Sequence, residues 1–118
     1  MCLLKLSSKL KATQDIVCYK VCYLRNNHLC SFFHDFIWDL NKVYEAERAK
    51  PACSRSSIYD GYFHSYEKPE SSYDLFAYAN TVLVKCIIPK GTYYYKGIHQ
   101  AGKCGYASKK LKIIEIVK

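Results

Sequence analysis

Thr81-Val82-Leu83-Val84-Lys85-Cys86-Ile87-Ile88 is the stretch on which the fold turns. It is short, apolar and rich in β-branched residues, and Val82, Val84, Cys86 and Ile88 recur at every second position, so it reads as a strand with one buried face. Pro89-Lys90-Gly91-Thr92 ends it as a tight turn, with the proline suited to the first central position. Tyr93-Tyr94-Tyr95-Lys96-Gly97 then reads as another strand.

Towards the N-terminus, Ile16 to Leu24 has the same β-branched and aromatic character. Arg25-Asn26-Asn27-His28 is a polar hairpin turn, because asparagine tolerates positive φ, and Leu29-Cys30-Ser31 returns antiparallel. Further strands are expected at Phe36 to Leu40, with an extension through Val43 and Tyr44, and at Tyr62 to Tyr66 after Asp60-Gly61. Glu45 to Ser57 reads as a surface loop. After Pro69, a serine cap at Ser71 or Ser72 and the spacing of Tyr73, Phe76, Ala77 and Ala79 predict a helix. Gly97, Gly102 and Gly105 mark a flexible segment, and Lys110 to Val117 closes the sheet. Residues 1–14 show no clear period and read as a loose lead-in to a single domain over 15–118. The expected class is α+β, a small, mainly antiparallel sheet of about five to seven strands with one helix packed on it. Val82, Val84, Cys86 and Ile88 are expected to share one core with Val21 and Ile113.

The composition suits one globular core: 118 residues, 50% apolar and 24% charged. Lys5, Lys9 and Lys11 interrupt the apolar start Met1-Cys2-Leu3-Leu4 before it reaches signal-peptide length, and no stretch is long enough for a membrane-spanning helix, so a cytoplasmic protein is expected. The seven cysteines, at 2, 18, 22, 30, 53, 86 and 104, are odd in number and include no C-x-x-C pair. Cys18 and Cys22 would face one metal in a helix but stand about 13 Å apart in a strand. All seven are therefore read as reduced thiols, and no metal or other cofactor is implied.

The net charge of +8 is unevenly spread. From Lys85 onward, lysines 85, 90, 96, 103, 109, 110, 112 and 118 face only Glu115, whereas the middle of the chain is acidic. Such a basic end serves either solubility or an anionic partner.

Cys18-Tyr19-Lys20-Val21, Phe36 to Tyr44, Gly61-Tyr62-Phe63-His64-Ser65, Ile88 to Gly97 and Gly105-Tyr106-Ala107-Ser108 follow one another in an order similar to that of a family of short uncharacterised proteins from gut bacteria of Bacteroides type and their phages. The resemblance spans residues 15–116, and Tyr62 interrupts the Gly-Phe-His segment that related chains tend to show. It implies a phage or prophage setting, hence the host cytoplasm, and no particular activity.

No phosphate-binding loop, nucleophile elbow or metalloprotease motif is present. Tyrosine supplies a stacking face, lysine a charge for phosphate and glycine close backbone approach, and these coincide in one segment. The candidate ligand site is therefore Lys90, Tyr93, Tyr94, Tyr95, Lys96, Lys103, Tyr106, Ser108 and Lys109, with His64 and Ser65 if the sheet brings their strand alongside. A loop between Gly97 and Gly105 is expected to close over a nucleotide or nucleotide-derived signal, which in a phage setting suggests an anti-defence sponge built as a homo-oligomer. With only three arginines, sequence-specific nucleic-acid readout is disfavoured. Two alternatives stand beside this. His64-Ser65, Tyr106-Ala107-Ser108 and Glu115 echo the order of residues in ADP-ribosyltransferases, and Phe32, Phe33, Phe36 and Trp38 could form a protein-binding patch of an inhibitor or structural phage component.

Overall fold

Ile16–Arg25 and Thr81–Ile88 pair antiparallel from Ile16 opposite Ile88 to Tyr23 opposite Thr81, and this ladder is the spine of the molecule. The computed structural model describes residues 3–5, 9–26, 28–31, 37–46, 62–69, 80–99 and 103–117. Its strands are β1 (Leu3–Lys5), β2 (Leu10–Lys11), β3 (Ile16–Arg25), β4 (His28–Ser31), β5 (Ile37–Trp38), β6 (Val43–Glu45), β7 (Phe63–Tyr66), β8 (Thr81–Ile88), β9 (Tyr93–His99), β10 (Lys103–Ser108) and β11 (Lys110–Ile116). They form one 11-stranded sheet in the order β1-β9-β10-β7-β3-β8-β11-β6, with β2 beside β9 and β4 and β5 continuing from β3. Every pairing is antiparallel.

The sheet must curl. β10 lies between β9 and β7, yet after the single residue Lys109 the chain enters β11, which lies between β8 and β6. Lys109 fastens the seam: its N–H donates to the Tyr93 carbonyl and its own carbonyl accepts from Ala46 N–H, at 3.0 and 2.7 Å.

Strand alternation then sorts the side chains. Cys18 and Cys22 of β3, Val84, Cys86 and Ile88 of β8, Leu111 and Ile113 of β11, and Tyr106 of β10 fill the inside of the curl with Leu29, Trp38 and Ala12. Trp38 meets Phe63 and Tyr44 with ring centres 5.0 and 5.1 Å apart. Val82 packs on this cluster, as expected, but Val21 does not belong to it. Val21 stands on the odd-numbered face of β3, opposite Leu83, and both are buried on the outside of the curl. Pairing Val21 with Val84 ignored the period of two.

The expected α+β class is corrected to all-β: the described residues hold eleven strands and no helix. The predicted helix at 71–79 and most of the loop expected at 45–57 lie outside the described residues. The strand number exceeded the expected range because β2 and β5 have two residues each, too few to show a period, and are held by partner strands, β2 by the distant β9 and β5 by the nearby β4. Two strands, β1 and β2, arise within the stretch read as a lead-in. The span expected as one strand with an extension is split into β5 and β6, with Asn41 at φ 62° between them.

Asn26, at φ 50°, opens the β3–β4 hairpin. At the β8–β9 turn Thr92 N–H donates to the Pro89 carbonyl, so Lys90 and Gly91 hold the two central positions, and proline stands one residue before the central position expected of it. Gly91 takes the positive φ of 87° that such a turn demands of its third residue.

Candidate functional site

β9, β10 and β7 lie side by side, with Tyr106 opposite both Lys96 and Ser65, and Ala107 opposite both Tyr95 and His64. The sheet therefore does bring His64 and Ser65 alongside the tyrosine-lysine segment. The same pairing divides the candidates between two faces.

Tyr94, Tyr106, Ser65 and Ser108 point into the curl. The Tyr94 and Tyr106 rings meet edge to face at 5.8 Å, and burial first, then the charge of Glu67, pushes the Tyr106 hydroxyl up to about 12. Ser65 and Ser108 are buried, and Ser65 lies beside the Cys18 thiol. On the opposite face Tyr95 is buried against Ala107 and Tyr62. His64 is half-buried, and its carbonyl accepts from the Lys20 ammonium at 2.9 Å. The Lys109 ammonium donates to the Ala46 carbonyl, which commits it to the seam. Lys96 is exposed, with its ammonium 4.0 Å from the Glu67 carboxylate. Lys103 lies on β10 opposite His99. Lys90 is exposed on the turn, and its N–H donates to the Asp15 carboxylate at 2.9 Å.

The closing glycine loop is also revised. Gly97 and Gly105 sit within β9 and β10, directly opposite one another, and both are buried. They belong to a hairpin ladder, and residues 100–102 between the two strands, Gly102 included, lie outside the described residues.

Tyr93 differs from its neighbours, with 46% of its surface exposed. Lys11 of β2 stands directly opposite it, and the chain is locked there by Ala12 N–H to the Thr92 carbonyl and Gly91 N–H to the Ala12 carbonyl, at 2.9 and 2.8 Å. In Lys9-Leu10-Lys11-Ala12 the apolar residues turn inward, with Ala12 in the core, and the lysines turn outward. The Lys9 and Lys11 ammonium groups lie 4.5 and 5.8 Å from the Tyr93 ring centre. Neither lysine has a carboxylate partner among the described residues. Sequence reasoning passed over both. The four-residue alternation was the available signal, and it is too short to stand out without the β9 partner.

The buried thiols are separate from this site. Cys18 and Cys86 face each other across the β3–β8 ladder and share a hydrogen bond. Burial opposes ionisation of Cys18, but hydrogen bonds with Cys86 and Ser65 and the Lys20 charge leave it below the ordinary thiol value, while burial drives Cys86 well above it. Burial likewise pushes Cys22 up to about 11. Cys18, Cys22, Cys30, Cys86 and Cys104 are free thiols. No group of three or more metal-ligating side chains occurs among the described residues.

Glu115 lies on β11, three strands from β7 along the sheet. Glu115 instead faces Lys85 at 4.0 Å. Trp38 is buried in the core, and Phe32, Phe33 and Phe36 lie outside the described residues.

The fold and this surface define a small basic all-β protein with a lysine-flanked tyrosine platform. No family model, curated protein or solved structure matches the chain. No helix among the described residues is long and apolar enough to cross a membrane.

Proposed function

We propose that the protein binds a small anionic ligand of nucleotide type, and that the ligand sits at Tyr93, Lys9 and Lys11, with Lys90 on the adjacent turn. The observation that carries this reading is the convergence of two ammonium groups, neither paired with a described carboxylate, on one exposed aromatic ring. Lysines that merely keep a surface soluble have no reason to gather on one ring. Phosphate is a natural partner for two such charges. With the resemblance to phage-associated proteins, the role is sequestration of a nucleotide signal in the host cytoplasm.

A thermal-shift screen against nucleotides, cyclic nucleotides and NAD derivatives tests it. A ligand at 100 times its dissociation constant stabilises by about 2.7 kcal/mol, and the shift should vanish in Lys9→Glu/Lys11→Glu. A silent screen, or a shift that persists in the double variant, removes the reading.

A further inference from the structure

We infer that Tyr93 is a stacking platform kept covered by Lys9, and that the ligand carries a phosphate and a planar base on one molecule, a mononucleotide being the smallest. This rests on the anion-binding reading and names its ligand class and manner of entry.

The Lys9 ammonium lies over the ring at 4.5 Å, and Lys11 approaches the same ring at 5.8 Å. Two like charges thus share one ring quadrupole, and a cation–π contact at an exposed ring is weak. A phosphate offers those ammonium groups shorter, charge-assisted hydrogen bonds. It draws Lys9 away and opens the ring face, onto which a base can stack. Each half of the ligand helps the other. Phosphate alone leaves a bare ring in water, and a nucleoside alone must displace Lys9 without giving it another partner.

The size of the site argues for one nucleotide over a strand. Tyr44 also has a lysine over it, with its ring centre 5.1 Å from the Lys42 ammonium. There the tyrosine hydroxyl donates to the Asp39 carboxylate at 3.2 Å, which sets a negative charge beside the ring and repels phosphate. Of these two rings, Tyr93 is the one compatible with phosphate.

Calorimetric titration of the full chain with adenosine monophosphate, adenosine, inorganic phosphate and a short oligodeoxyadenosine is the test. Adenosine monophosphate should bind about tenfold more tightly than phosphate, and Tyr93→Leu should abolish that difference while leaving phosphate affinity unchanged. Lys9→Ala should weaken adenosine monophosphate yet strengthen adenosine about threefold, because the ring is uncovered. Equal affinity of adenosine monophosphate and phosphate, unaffected by Tyr93→Leu, overturns the stacking inference while the anion-binding reading stands. Weaker or unchanged adenosine binding in Lys9→Ala overturns the covering role, and an oligonucleotide more than about tenfold tighter than the monophosphate overturns the single-nucleotide class. No binding of either phosphate-bearing small probe overturns both readings.

Discussion

Lys11 and Tyr93 stand directly opposite each other in the β2–β9 pair, and the lysine ammonium lies 5.8 Å from the centre of the tyrosine ring. Cross-strand neighbours on one face are the closest side-chain contacts a sheet makes between residues far apart in sequence. This one joins the N-terminal segment to the strongest hairpin of the chain. It also leaves Tyr93 outside, while Tyr94 is carried into the core and Tyr95 to the buried part of the opposite face.

Val84 is fully buried at the middle of the spine. Val84→Ala should destabilise the fold by about 1 to 3 kcal/mol in urea denaturation. A change within about 0.5 kcal/mol, the range of ordinary surface substitutions, contradicts its placement.

Gly91 has φ 87°, and a Cβ added there meets nothing within 4 Å. The cost of Gly91→Ala is therefore conformational alone, about 1 kcal/mol. Chemical denaturation checks it, and a stabilised variant shows that the turn is not of this type.

The Lys109 ammonium is spent on the Ala46 carbonyl. Lys109→Met should lower stability by about 1 kcal/mol and leave phosphate affinity at wild-type level. A stable variant with weakened phosphate binding, measured by the same calorimetry, returns Lys109 to the ligand site.

Cys22 and Tyr106 hold their protons more tightly when folded, with values pushed from 9.0 to about 11 and from 10.0 to about 12. Unfolding releases those protons once pH exceeds the unfolded values. The stability linked to them is complete below pH 9 and is lost between about pH 9 and 12, at about 1.4 kcal/mol per pH unit for each group. Cys86, pushed well above the ordinary thiol value, adds to the loss above pH 9, whereas the lowered Cys18 favours the fold as pH rises towards 9. Denaturation midpoints should fall above pH 9, less steeply between pH 9 and 11 in Cys22→Ala. An unchanged slope in that variant refutes the assignment to Cys22.

Cys104 is exposed whereas Cys18, Cys22 and Cys86 are wholly buried. A thiol reagent followed by peptide mass spectrometry should label Cys104 in the native protein and the buried three only after denaturation. Native labelling of Cys18 as fast as Cys104 contradicts the packed core.

Local chemistry was enough for the elements that satisfy themselves locally. β8 occupies the residues expected of it because eight residues of alternation are hard to read otherwise. The Asn26 hairpin and the Gly91 turn follow from which residues accept positive φ. The core positions Val84, Cys86, Ile88 and Ile113 were legible from period two, as was the coincidence of tyrosine and lysine near β9. Tertiary pairing decided the remainder. Strands as short as β2 and β5 exist only because a partner strand satisfies their backbone, and for β2 that partner is distant, so no local pattern announces them. For the same reason Lys9 and Lys11 reached Tyr93 unforeseen. Of three consecutive tyrosines, alternation guarantees only that neighbours face opposite ways. Which face is buried depends on the curl that Lys109 fastens, and that curl takes Tyr94 inward and leaves Tyr93 exposed.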